Sequence, residues 1–260
     1  MLTPHGAETV VTVILAAVVA AMVLAALYSW RRTGSPAFLL VLAGGYVCSF
    51  NEALVDVLGH CYYPADANNV YTAFDRGVPL WVVLAYVAFF GGLPYLLVMW
   101  LRNGATRRSV WLAVAAFWAL DTVMEMPTLA SRVYLYYGPQ PFVVGGFPLI
   151  WLVINGLGAL LGAVVITRLS WFFTGARQLL LILVPFATDM ASWVVAMPHF
   201  AILNSNAPGA VRTAAAIVTT VLGLIAIDVL IRIGTGQWRL LPPNDQPQRP
   251  AAQPAVGRSA

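Results

Sequence analysis

Glu52 and Asp56 stand four residues apart in "CSFNEALVDVLGH" (48–60), and Asp121 and Glu125 repeat that spacing in "DTVME". On a helix, an (i, i+4) pair sets both carboxyls on one face, one turn apart. Both pairs, with Asp189 and Asp228, fall inside long apolar runs. An ionised Asp at the centre of a membrane helix costs roughly 2.5–3.5 kcal/mol. Such groups must face a bundle interior, pair, or stay protonated. Two carboxyls held close in a dry site cannot both ionise easily, so they share a proton. A carboxylic acid kept protonated at neutral pH is a general acid. The competing reading is a set of helix–helix hydrogen bonds, which use the same residue types.

Aromatic residues accompany the acids. Phe50 adjoins Glu52, Phe117 and Trp118 precede Asp121 by about one turn, and Phe186 and Trp193 bracket Asp189. Tyr46 and Tyr86 lie in neighbouring segments. A proton donor beside π-faces suits a substrate that becomes a carbocation, although any pocket for an apolar ligand would use similar residues. Glu52, Asp56, Asp121, Glu125 and Asp189 are therefore the candidate catalytic residues. Asn51, Phe50, Trp118, Asn155, Trp193, Tyr46, Phe186 and His199 are the candidate substrate-binding residues. His199 follows Pro198 before a polar loop, so an interfacial histidine without a role is the rival reading. Asn155 opens "NGLGALLG", where Gly158 and Gly162 permit close helix packing. Asp228 precedes Arg232 by four residues, and an (i, i+4) ion pair at the membrane interface accounts for it.

The elements that carry these residues are membrane spans. The chain is 60% hydrophobic and 9% charged, where a soluble domain would carry about 25% charged residues. Its mean hydropathy is +0.81. Apolar segments at about 8–30, 36–58, 79–101, 109–130, 147–168, 177–199 and 210–232 predict an all-α integral membrane protein with a seven-helix bundle. The first segment lacks a basic leader and reads as a helix. The membrane domain covers 1–235, and the Pro/Gln/Ala-rich stretch 236–260 is expected to be a disordered cytoplasmic tail.

Every one of the 14 basic residues is Arg. Without Lys, a seven-helix protein cannot hold retinal as a Schiff base, so a rhodopsin-like activity is excluded. One side of the bundle collects 11 of them: Arg31, Arg32, Arg102, Arg107, Arg108, Arg168, Arg177, Arg232, Arg239, Arg249 and Arg258. The other side has three: Arg76, Arg132 and Arg212. The richer side faces the cytoplasm, which places the N-terminus outside and the C-terminus inside. The Ala, Val, Leu and Arg bias suggests a bacterial plasma membrane. In this orientation Glu52, Asp56, Asp121, Glu125, Asp189, Asn155 and His199 converge at one depth, in the outer half of the bundle. Two aromatic loops, 60–77 and 132–147, lie on the same side. They fit either an interfacial aromatic belt or a lid over a pocket. Cys48 and Cys61 lie about 20 Å apart if on one helix, too far for a disulfide. Nothing in the chain points to nucleic acid; the expected partners are membrane lipid and a lipophilic isoprenoid substrate.

The size, the seven-helix plan and the acid in "CSFNE" resemble the small heptahelical membrane terpene cyclases of fungal meroterpenoid and bacterial indole-sesquiterpenoid pathways. In that family a Glu on helix two and an Asp on a late helix are thought to protonate a terminal alkene or epoxide. The resemblance puts Glu52 at the first position. Trp precedes that Glu in the family, whereas Asn51 does here. The late acid would fall on Asp228, while depth favours Asp189. The resemblance implies a class II-type cyclase (an isomerase or lyase of terpenoid biosynthesis) that needs no cofactor. Two other activities remain open. An intramembrane prenyltransferase or class I cyclase would use "NEALVD" and "DTVME" to hold Mg²⁺ against a prenyl diphosphate. A proton-coupled transporter would use mid-membrane acids on helices broken at Pro94, Pro127 or Pro185. A non-catalytic membrane partner would tolerate Asn or Gln at each acid.

Overall fold

A computed structural model describes residues 2–238. Seven helices in it are long and apolar enough to cross a membrane: α1 (His5–Thr33), α2 (Ala37–Gly59), α3 (Leu80–Arg102), α4 (Arg107–Ala130), α5 (Ile150–Arg168), α6 (Gly175–Leu203) and α7 (Gly209–Gly234). Their ends fall within about four residues of the predicted segments. The expected tail lies outside the described residues from 239 onward. Helix ends follow local chemistry. Gly34 closes α1 in the left-handed conformation, with its N–H on the Trp30 carbonyl. Thr106 and Ser109 form reciprocal caps at the start of α4.

The helices are not uniform. A tight 3₁₀ turn at Ser49–Asn51 interrupts α2 just before Glu52. A wide π turn at Val87–Gly92 interrupts α3. The two helices nearly touch beside this wide turn, because a Cβ on Gly45 would come 2.8 Å from the Val87 Cα. In the same way a Cβ on Gly158 of α5 would come 3.3 Å from the Asp189 Cα of α6, the close packing expected of "NGLGALLG". None of the three prolines expected as break points interrupts its helix. Pro94 opens the regular turns after the π segment, Pro127 sits within the last turns of α4, and Pro185 lies in the first turn of regular α-helix in α6.

The seven-helix plan carries short strands in its loops. At the end of the bundle where α2, α4 and α6 finish, the loops form three two-stranded antiparallel ladders. Strand β1 (Cys61–Tyr62) pairs with β4 (Leu135–Tyr136), β2 (Asn69–Ala73) with β3 (Arg76–Pro79), and β5 (Val143–Val144) with β6 (Phe147–Pro148). Gly145 and Gly146, both at positive φ, supply the two-residue turn of the last hairpin. The β1–β4 ladder ties the two aromatic loops to each other. Together they cover this end of the bundle.

Candidate functional site

The 3₁₀ turn in α2 delivers Asn51, Glu52 and Asp56 to the bundle interior, where all three are buried. Glu52 is held by two phenols. Tyr63, from the loop after β1, donates to its Oε1, and Tyr86 of α3 donates to its Oε2 at 2.6 Å. Burial and the negative charge of Glu52 hold the Tyr63 hydroxyl well above the usual phenol range. It therefore acts as a proton-bearing donor across ordinary pH. Across from this pair, α4 presents Asp121 and Glu125. Asp121 Oδ2 accepts from Asn155 Nδ2 of α5 at 3.2 Å. Asp56 Oδ2 and Glu125 Oε2 are buried and have no hydrogen-bond partner among the described residues.

Glu52, Asp56, Asp121, Glu125 and Asn155 line one cavity of about 110 Å³. Its other walls are mainly aromatic: Trp81, Tyr86, Phe89 and Phe90 of α3, and Trp151 of α5. Tyr63, Tyr134 and Tyr136 close it from the loops, with Tyr63 and Tyr134 stacked at 5.6 Å between ring centres. The Trp81 Nε1–H is buried without a partner among the described residues. The loop residues thus form a roof on the cavity, the lid arrangement rather than a plain interfacial belt.

The roof is fastened at its rim. His60 ends α2 with a left-handed φ of 56° and stacks on Tyr137 at 4.8 Å. Asn204 donates its Nδ2 to the Leu58 carbonyl at 2.7 Å, so its Oδ1 is left to accept from His60 Nε2 at 3.2 Å. Arg76 donates to the Tyr137 hydroxyl at 3.0 Å, and Gln140 to the Gly59 carbonyl at 2.7 Å. Burial holds the His60 ring below the ordinary histidine value, and Arg212 and Arg76 add to that against the Asn204 bond.

Other expected residues lie elsewhere. Asp189 is buried behind the cavity wall, where its Oδ2 accepts from Asn51 Nδ2 at 2.9 Å. Asn51 also donates to the Phe186 carbonyl at 3.2 Å. Trp193 is core, one turn beyond Asp189, and the half-buried Phe186 packs against the same core. Phe50 and Tyr46 are exposed on the outside of α2, packed edge-to-face on each other. Trp118 packs on Trp111 and above Gly156. His199 is buried beside Phe200, with its backbone N–H on Thr219 Oγ1 at 3.2 Å. Asp228 is far from the site. It accepts from Arg232 at 2.7 Å, Arg107 at 2.6 Å and Trp111 at 3.1 Å.

Among the residues the sequence did not single out for the site are Tyr63, Trp81, Tyr134, Tyr136, Trp151 and Cys61, all on the cavity. The only signal for most of them was aromatic density in the two loops. Cys61 and Cys48 are free thiols, both buried. Among the described residues no three His, Cys, Asp or Glu side chains are grouped as metal ligands. Four carboxyls and an amide around a small aromatic chamber can move a proton and stabilise a positive charge within it. No protein-family model, curated protein or solved structure matches the chain.

Proposed function

We propose that this protein is a membrane-bound terpene cyclase that starts its reaction by protonation. The observation that carries this reading is the convergence of Glu52, Asp56, Asp121 and Glu125 on one buried, aromatic-walled cavity. Two of their oxygens, Asp56 Oδ2 and Glu125 Oε2, have no hydrogen-bond partner among the described residues. Glu52 resembles the family's proton donor, yet both of its oxygens already accept from Tyr63 and Tyr86. We therefore assign delivery of the proton to Asp56 or Glu125, with Glu52 positioning and exchanging protons with Asp56.

In the proposed reaction a carboxylic O–H gives its proton to the less substituted carbon of the terminal alkene, or to an epoxide oxygen, of a prenylated substrate. A C–H bond forms, or a C–O bond breaks, and a tertiary cation results. An internal double bond attacks that cation and forms the ring C–C bond. The faces of Trp81, Phe89, Phe90 and Trp151 stabilise the charge as it moves. A carboxylate or water takes the final proton, so the acid can be restored. No diphosphate leaves, and the reaction as written asks nothing of a metal. We further propose that the N-terminus and the roofed end lie outside a bacterial plasma membrane, on the arginine distribution.

The test is conversion of a panel of linear prenylated substrates by purified membranes in the presence of EDTA. Cyclised product is expected. Glu125→Gln or Asp56→Asn should lower turnover by about 10²–10⁴-fold, the usual worth of a general acid. Full turnover by both folded variants and by Glu52→Gln would end the acid-initiated reading.

A further inference from the structure

The carboxylate cavity, at about 110 Å³, is small for a whole isoprenoid chain. A second hollow of about 330 Å³ adjoins it, with an apolar lining from α3, α4 and α5. Helices α3 and α4 are consecutive, yet a groove runs between them. Its floor is Gly156, Ala159 and Leu160 of α5. Leu96, Trp100 and Leu120 on its rims are exposed, so in a bilayer it opens to lipid. On each helix the residues lining the two hollows follow one another along the chain. Asp121 lines the cavity and Leu120 the groove; Asn155 lines the cavity and Gly156 the groove. On α3 the cavity ends at Phe90 and the groove begins at Leu93. Between them Phe89 of the cavity meets Phe117 of the groove edge-to-face, 5.4 Å between ring centres.

We propose that the groove holds the hydrocarbon tail of the same molecule whose reacting end occupies the carboxylate cavity, and that the Phe89–Phe117 contact is the doorway between them. The proposal rests on the cyclase reading and adds the form of its substrate: a linear amphiphile that enters sideways from the bilayer, reacting end first. Two features select this occupant. The carboxyls are confined to the cavity and the groove is almost wholly apolar, with the Trp100 indole as its one polar side chain, so a molecule with one reactive end and one long inert end matches both. The reach fits as well: Phe89 to Trp100 spans about 16 Å at 1.5 Å per residue, the length of an extended chain of roughly a dozen carbons. A tail already in lipid gains no dehydration energy by entering the groove. The groove's contribution is to aim the chain, so position rather than affinity is the property to measure.

The probe is an alkyl dimethylamine, an ammonium stand-in for the carbocation, with a diazirine at the far end of its chain. It is photolysed with the full-length protein in lipid nanodiscs, and the labelled peptides are mapped. Label is expected within 93–100 and 113–120. It should fall several-fold when a short-chain dimethylamine competes for the cavity, and again in Asp121→Asn/Glu125→Gln. Ala116→Trp, which fills the groove from an exposed position, should remove it; Ala113→Phe serves if that variant is unstable to heating. Label that depends on the acids but lands elsewhere and ignores Ala116→Trp overturns the groove and leaves the cavity reading standing. Label in the groove that ignores both the acids and the short amine marks an ordinary lipid site, and overturns the head-to-tail proposal together with cation binding in the cavity.

Discussion

Tyr63 and Tyr86 occupy both oxygens of Glu52, and such partners separate four acids that look alike in the sequence. Glu52 is held, Asp56 and Glu125 each keep a partnerless oxygen, and Asp228 is neutralised by two arginines. Tyr86→Phe removes the donor to Oε2 and leaves a buried carboxyl oxygen unpaired. A loss of about 1–3 kcal/mol is expected, read as a lower thermal midpoint in detergent, with turnover reduced alongside. Asp228→Asn should do little on either count. Its ion pairs are partly solvated, so about 0–1 kcal/mol is at stake, screened by salt, and turnover should hold. A loss of activity in Asp228→Asn as large as in Glu125→Gln would contradict the site as drawn. The (i, i+4) spacing showed which acids share a face, and the structure puts both pairs on one cavity. The same periodicity argues against Phe50. At 100° per residue it sits 200° around α2 from Glu52, so adjacency in sequence was a poor guide to which aromatic meets the acid.

The roof and the wide turn of α3 belong to the scale of elements, and neither is written in local sequence. Cys61–Tyr62 pairs with Leu135–Tyr136, so Tyr134 and Tyr136 reach the cavity through a contact between loops that two whole helices separate. Apolar periodicity predicts spans but carries no information on such long-range pairing. The close passage of Gly45 along the wide turn of α3 was equally hidden. A methyl there would press on backbone, so Gly45→Ala should cost about 1–3 kcal/mol and lower turnover by displacing Tyr86 and Phe89. Gly6→Ala, with nothing within 4 Å of the added Cβ, is the matched control. Equal thermal midpoints for the two variants would refute this account of the turn. The roof should also respond to pH. His60 takes up a proton less readily in place than when the loop is detached, because burial, Arg212 and Arg76 all oppose its charge. Where the detached form binds more protons, stability rises with pH. Attachment of the roof should therefore be full above about pH 6.5 and weaken as pH falls toward the lowered value of His60. Hydrogen exchange of peptides spanning 60–79, corrected for its intrinsic pH dependence, should show faster opening at acid pH. His60→Asn tolerates the left-handed backbone and should abolish the difference. An unchanged pH response in His60→Asn would assign the effect to another group.

At the scale of the whole molecule, one decision governs what the cavity can meet: which side of the membrane the roof faces. Seven apolar runs were legible because a bilayer demands about 20 apolar residues per span and this chain offers seven such stretches. Sidedness rests on arginine alone. Among the described residues, Arg31, Arg32, Arg102, Arg107, Arg108, Arg168, Arg177 and Arg232 gather at the end opposite the roof, against Arg76, Arg132 and Arg212 beside it. The bias predicts a roof outside the cell. In that orientation the groove, 93–100 on α3 and 113–120 on α4, runs from the level of the cavity toward the cytoplasmic ends of these helices, so substrate would reach the cavity from the inner half of the bilayer. Both native cysteines are buried, which makes the test clean. Ala65→Cys, exposed on the roof, should react with a membrane-impermeant maleimide on intact cells. Asn103→Cys, exposed in the turn between α3 and α4 at the opposite end, should react only after the membrane is opened. The reverse pattern would turn the molecule over. It would leave the cavity chemistry intact and turn the groove, and with it the substrate supply, toward the outer leaflet.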